Sequence, residues 1–237
     1  IGAYSQGKIS HDELVEMERV ACPGEGACSG MFTANTMSSA IEALGMSIPG
    51  AASIPAVDPR INTPAYDVGS IMYKLLENDL KPRDIMTYEA FENAIRVVLS
   101  MGGSTNAVLH LLAIAHEAEV DISIDDFDRL SRDTPYLTDL RPGGRFVMSD
   151  VDKIGGVPVV MNELLRAGLL HGDCITITGK TIQENLLQFD EMPDSKVIFP
   201  VSNPRNSTGG LVILKGNIAT EGAVMKVSAS QLKSHEG

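Results

Sequence analysis

Tryptophan is absent from the 237 residues, and Phe, Tyr and Trp together make up only 5%. That scarcity argues against a β-sandwich organised around large rings and for helices packed on a sheet, with Met (11 residues) filling much of the core. Cysteine is scarce too, at positions 22, 28 and 174. Three scattered thiols cannot form a disulfide framework, and an odd, unstapled count favours a reducing compartment. Basic residues are in deficit, 19 against 31 acidic, for a net charge of −12. Such a surface repels phosphate backbones, and no Lys/Arg run offsets it locally, so nucleic acid is excluded as a partner. No stretch reaches the roughly 18 uninterrupted apolar residues of a membrane span, so no membrane partner is expected either. What remains, 43% hydrophobic and 21% charged, is the composition of a folded globular chain. Its length suits one large domain, or one domain and part of another.

Helical and strand-like patterns alternate over most of the chain. Residues 34–44 place Met37, Ile41 and Leu44 at helical spacing, with Gly45 set to end the helix in a left-handed conformation. Residues 48–60, with three prolines and no periodicity, read as loop. Helices follow over 66–77 and over 88–99, the latter opened by Thr87 as N-cap. Ser104 starts another, with Val108, Leu111, Leu112 and Ala115 on its apolar face. Ser123 with Asp126, and Thr181 with Glu184, have capping-box spacing. A helix over 159–167 is closed by Gly168, and residues 174–178 alternate like a strand. Beyond about residue 190 only short β-type runs remain (196–199, 211–214, 223–227), separated by Asn, Pro and Gly. The expected fold class is therefore α/β: helices packed on a mainly parallel sheet, followed by the start of a smaller all-β, barrel-like domain. The expected boundaries are 1–188 and 189–237.

The most informative stretch runs from Ala21-Cys22-Pro23-Gly24-Glu25-Gly26-Ala27-Cys28 through Ser29-Gly30-Met31-Phe32-Thr33-Ala34-Asn35-Thr36-Met37. A small-residue loop entering a helix start presents unpaired amides, which favour negative charge nearby. The glycines miss the dinucleotide-loop spacing, because Ser29 stands where the third should be and no strand precedes them. A metal or cluster site is the other reading, since thiolates are the usual iron–sulfur ligands. Cys22 and Cys28 are not in C-x-x-C spacing, so the segment is no self-contained metal motif; a Cys in a Gly-rich turn is more often a small packed residue than a ligand, and spacing alone does not settle which it is here.

This segment resembles the third cluster-ligand motif of the dihydroxy-acid dehydratase and phosphogluconate dehydratase family. The likeness extends along the chain. It includes Met101-Gly102-Gly103-Ser104-Thr105-Asn106-Ala107, Pro142-Gly143-Gly144-Arg145-Phe146, Gly155-Gly156-Val157-Pro158, Leu170-His171-Gly172-Asp173-Cys174, Asn203-Pro204 and Thr208-Gly209-Gly210-Leu211. Ala21-Cys22-Pro23-Gly24 and Thr33-Ala34-Asn35-Thr36-Met37 resemble the dihydroxy-acid branch more than the sugar-acid branch.

The resemblance implies an enzyme that removes water from a 2,3-dihydroxy carboxylic acid to give a 2-keto acid in branched-chain amino-acid synthesis. It implies an iron–sulfur cluster, of the [2Fe–2S] type for this form of the loop, with Cys28 as one ligand. It implies Mg2+, whose carboxylate ligands fall outside these residues, as do the other two cysteines and the catalytic base. Cys22 is expected to be a packed thiol. Met31, Phe32, Thr33, Ser104, Thr105 and Asn106 are substrate-pocket candidates, with core packing or a plain helix cap as their alternatives. The only partner expected is the small-molecule dihydroxy acid, with a homodimer for the full-length protein. The chain opens on Ile1 and stops without a structural end, so it is expected to be an internal fragment, inactive in isolation. Alternatives are a sugar-acid dehydratase or a non-catalytic truncated relative. The compartment would be cytoplasmic in a bacterium and mitochondrial or plastid in a eukaryote. His110 and His116, six apart on one helix, do not share a face as metal ligands would. The acidic run Asp125, Asp126, Asp128 is explained by the helix dipole without calcium, and Cys174 is expected to be buried and inert.

Overall fold

The computed structural model describes residues 1–21 and 29–229. Cys22 and Cys28 lie outside the described residues. Two N-terminal helices come first: α1 (Gly2–Ser5) and α2 (His11–Val20). Ser10 caps α2 in a full box with Glu13, two orphan amides being satisfied reciprocally. The body then builds from α3 (Thr33–Ala43), α4 (Asn62–Glu77), α5 (Pro82–Ile85), α6 (Tyr88–Met101), α7 (Asn106–Ala118) and α8 (Ile124–Asp133). After an irregular stretch come α9 (Met148–Asp152), α10 (Val157–Arg166) and α11 (Ile182–Leu186), and then strands β1 (Leu211–Leu214) and β2 (Ala223–Lys226).

Helix α6 is the axis of the packing. All of its residues but Tyr88, Glu89 and Arg96 are buried, because its sequence carries apolar side chains on two opposed faces. Phe91, Ile95 and Leu99 face one cluster with Ala40, Leu44, Leu111, Phe127 and Leu130. Val97 and Met101 face a second with Met31, Leu137, Val160, Leu164 and Ile198. Packed from both sides, α6 is buried along with its polar residues Glu92, Asn93 and Ser100. Its ends are set by local chemistry: Thr87 accepts from the Ala90 amide, and Gly102 closes the helix at φ 61°, ψ 50°, where glycine is at no steric disadvantage.

The other expected helices form within a few residues of their predicted bounds. Gly45 and Gly168 take positive φ as expected. The Thr181–Glu184 capping box is complete, whereas at Ser123 only the return half is made, Asp126 accepting from the Ser123 amide and hydroxyl. The sheet differs. Among the described residues the sheet is a single antiparallel pair, β1 with β2, in the register Leu211↔Lys226 to Leu214↔Ala223, and no parallel sheet forms. Residues 174–178 do not become a strand. The Thr176 amide donates to Lys180 O and the Gly179 amide to Thr176 O, so the segment hooks back through a turn at Gly179. Residues 196–199 make only an isolated bridge between Ile198 and Thr138. The Asp194 carboxylate accepts the amides of Lys196, Val197 and Ile198, which removes the donors a ladder would need.

The β1–β2 hairpin is attached to the helical body by backbone. The Gly210 amide donates to Leu99 O, the Gly209 amide to Ser131 O, and the Ser131 hydroxyl to Leu211 O. Helix α4 is the opposite case. None of its residues is buried, and a cavity of about 670 Å3, lined by Met46, Ile61, Val68, Met72, Leu75 and Ile85 among others, lies between it and the body. No described helix is long and apolar enough to cross a membrane.

Candidate active site

Residues 29–31, ahead of α3, are tied to the body by backbone hydrogen bonds. The Met148 amide donates to Ser29 O (2.7 Å) and the Met31 amide to Arg141 O (2.7 Å). The Asn35 side chain then reaches back to Gly30 O (2.7 Å). Residues 139–148 therefore cup Ser29, Gly30 and Met31 on one side. The cup is held by Asp139, 3% exposed, whose carboxylate accepts from both Arg145 and Arg205 while its carbonyl accepts the amides of Arg145 and Phe146. Gly144 is obligatory there, since a Cβ would stand 2.3 Å from the Asp139 carbonyl carbon.

On the other side, the Gly102-Gly103 turn drives the start of α7 against the start of α3. A Cβ at Gly103 would meet Thr36 Cγ2 at 2.7 Å and Val98 Cγ1 at 2.8 Å, so only glycine allows this approach. The Ser104 amide donates to Thr36 Oγ1 (3.0 Å). Asn106 Nδ2 donates to Thr33 Oγ1 (2.7 Å), the Asn106 amide donates to Ser104 Oγ (3.2 Å), and the Thr33 and Ser104 hydroxyls lie 3.3 Å apart. These bonds form a closed ring through Thr33, Ser104 and Asn106. One hydroxyl donates to the other within it, so the acceptor's own proton stays uncommitted among the described residues. Two helix starts and a spare hydroxyl donor converge, a setting that favours a carboxylate or hydroxyl oxygen.

Of the six predicted pocket residues, Thr33, Ser104 and Asn106 are joined directly. Thr105 is half-buried beside them as the residue before α7 and makes no side-chain cap bond. Phe32 is 42% exposed, whereas Met31 is 1% exposed and belongs to the core. The Cys28 assignment falls outside the described residues. His110 and His116 both lie on the exposed side of α7. Asp126 caps α8 and also bonds Tyr88 and Arg129. Cys174 is half-buried, and burial pushes its thiol up to about 11, so it stays protonated near neutrality.

Two residues that sequence reasoning missed complete the surroundings. Asp139 with its two arginines is one. The other is Lys226, whose Nζ donates to Gly102 O (2.6 Å), Gly103 O (2.9 Å) and Met31 O (3.4 Å). A lone Lys inside the apolar run Ala223-Val224-Met225-Lys226-Val227 was the available signal. Among the described residues no group of three or more His, Cys, Asp or Glu side chains could hold a metal ion. The described donors are thus hydroxyls, amides and one ammonium, which suit a ligand's oxygens and do not form a ligand set for a cluster or Mg2+.

This arrangement belongs to a chain whose two parts match two different family models of one kind of dehydratase. Residues 1–185 match the family described as dihydroxy-acid/6-phosphogluconate dehydratase N-terminal, and residues 196–237 its C-terminal counterpart. The chain is 56% identical over 228 residues to dihydroxy-acid dehydratase 2 of Staphylococcus saprophyticus, covering 96% of this chain and 40% of that protein. It is 53% identical over 239 residues to the dihydroxy-acid dehydratase of Sulfurisphaera tokodaii, covering 100% of this chain and 43% of that one. With the dihydroxy-acid dehydratase of Acidothermus cellulolyticus it shares 56% over 238 residues, again 100% and 43%. The chain belongs to the dihydroxy-acid/6-phosphogluconate dehydratase family, and it spans about two fifths of the length of the curated relatives it matches.

Proposed function

We propose that this chain is part of a hydro-lyase that converts 2,3-dihydroxy carboxylic acids, dihydroxyisovalerate and dihydroxymethylvalerate, into 2-keto acids for branched-chain amino-acid synthesis. The observation that carries the reading is more than half identity with dihydroxy-acid dehydratases along the whole chain. In the reaction the C2 proton and the C3 hydroxyl leave as water, and the resulting enol tautomerises to the 2-keto acid. When bound, an iron–sulfur cluster and Mg2+ would supply Lewis acidity for the departing hydroxyl and charge neutralisation at the carboxylate. Cys28 would be one cluster ligand, the remaining ligands coming from outside the described residues.

The described residues have a narrower task. The ring of Thr33, Ser104 and Asn106 would orient the acid's oxygens through its spare hydroxyl proton and the amides at the start of α7. Phe32, half in solvent at the same edge, would meet the aliphatic end. The cup of residues 139–148 would hold the chain that follows Cys28 in place. In the same reading residues 1–188 are part of the α/β cluster-binding domain, with its parallel sheet completed elsewhere. Residues 189–237 begin the smaller barrel-like domain, and the full-length protein is a homodimer.

The test is an assay of the full-length holoenzyme carrying this segment with dihydroxyisovalerate and with 6-phosphogluconate. Turnover of the first and not the second is expected. The reverse preference would move the chain to the sugar-acid branch. The 237-residue chain alone is expected to give no turnover after iron–sulfur reconstitution.

A further inference from the structure

Lys226 ends strand β2, yet its side chain turns into the helical body instead of solvent. An ammonium has three N–H donors, and three carbonyl oxygens receive them: Gly102 and Gly103 in the turn between α6 and α7, and Met31 just ahead of α3. Those two segments carry Ser104 and Thr33, the two hydroxyls of the ring. The hairpin lies against the same turn with no slack: a Cβ at Gly210 would stand 2.6 Å from the Gly102 Cα. Among the described residues no carboxylate pairs with Lys226; its partners are all carbonyls.

Holding the amine there is unfavourable in isolation. Burial lowers its pKa from the ordinary 10.5 to about 8. The charged form is the one folding penalises, so that cost is fully present below pH 8 and fades as pH rises toward 10.5. A methionine of similar length would fill the space without it. An amine kept at such a place is explained by what it ties together.

We propose that Lys226 is a positioning residue for the Thr33–Ser104–Asn106 ring, a bridge from the β1–β2 hairpin that fixes the α6–α7 turn against the chain entering α3. This rests on the reading that the ring meets the substrate. Lys226 donates all its protons to backbone and touches no ligand itself. Its effect is on the spacing of the two helix starts, and through them on the spare hydroxyl donor.

The experiment uses Lys226→Met in the full-length holoenzyme. A melting temperature equal to or above wild type, an unchanged visible cluster spectrum and a fall of at least tenfold in kcat/KM for dihydroxyisovalerate are expected. Lys226→Ala should regain part of that loss with added propylammonium, which restores a cation in the vacated space. Hydrogen exchange on the full-length protein gives a readout independent of activity: the Gly103, Ser104 and Asn106 amides should exchange faster in Lys226→Met, with α10 unchanged. Wild-type kcat/KM in Lys226→Met, or a loss of activity matched by a loss of melting temperature and of protection throughout the chain, would overturn the proposal. A wild-type holoenzyme inactive on the dihydroxy acid would instead sink the functional reading, and the exchange pattern would still judge Lys226.

Discussion

Helices α6 and α4 are near in length, 14 and 16 residues, and both are rich in apolar side chains. One is buried almost throughout, and the other has no buried residue. On α4, Val68, Met72, Tyr73 and Leu76 are each about half exposed or more, and Tyr66 is 86% exposed. On α6, Phe91, Ile95, Val98 and Leu99 are fully enclosed. The difference teaches that periodicity and caps decide whether a segment is helical, while burial depends on what the rest of the fold brings to it. For α6 the fold brings α3, α8 and α10; beside α4 it leaves a cavity of about 670 Å3.

The largest expected effect separates the two helices directly. Phe91→Ala on α6 should lower stability by about 3–5 kcal/mol, and Tyr66→Ala on α4 by no more than about 0.5 kcal/mol, read by urea denaturation. Equal effects would break the comparison. Next comes the anchor of the limb that carries α4. Glu42, 4% exposed, accepts the amides of Gly50 (2.8 Å) and Ala52 (2.9 Å), and burial pushes its carboxyl up to about 7. A raised pKa means that its contribution is complete below the ordinary 4.5 and is lost as pH rises through about 7. Between those limits the wild type should lose about 3 kcal/mol more than Glu42→Gln, measured by urea titrations at fixed pH. Parallel pH profiles would show a carboxyl that titrates ordinarily.

The hairpin is an intermediate case. A Cβ at Gly143 would fall 1.8 Å from Ser228 O, so something must shift. Gly143→Ala should cost about 1–3 kcal/mol and speed hydrogen exchange in β1 and β2 before it does so in α6. The smallest effect has the opposite sign. Gly69, in the middle of α4, has nothing within 4 Å of a built Cβ. Gly69→Ala should therefore stabilise by about 0.5–1 kcal/mol in thermal melts. A destabilised Gly69→Ala would mean that this face of α4 is in contact after all.

What the sequence disclosed follows the range of the interactions. Thr87, Gly45, Gly168 and the caps at Ser123 and Thr181 act within four residues, and each was readable in place. The segments at 174–178 and 196–199 misled, because alternation reports a half-buried chain and not whether its amides are free. Gly179 turned the first, and the Asp194 carboxylate occupied the second. At the candidate site, Thr33, Ser104 and Asn106 were named from motifs, but their joining across some seventy residues depends on how α3 lies against α6. Asp139 and Lys226 were missed for the same reason. Arg205, the second partner of Asp139, and the Gly102-Gly103 turn that Lys226 binds are remote in sequence, and a single buried charge leaves only a faint mark on a local pattern.

The ring of hydroxyls has a further property. Its hydrogen-bond sense can reverse by rotating two O–H groups, with every heavy atom left where it stands. In one sense Ser104 keeps the spare proton; in the other Thr33 does, 3.3 Å away. A rim that can offer a donor at either of two neighbouring points can follow a ligand whose adjacent oxygens change their own character, from alcohol to carbonyl, during its conversion.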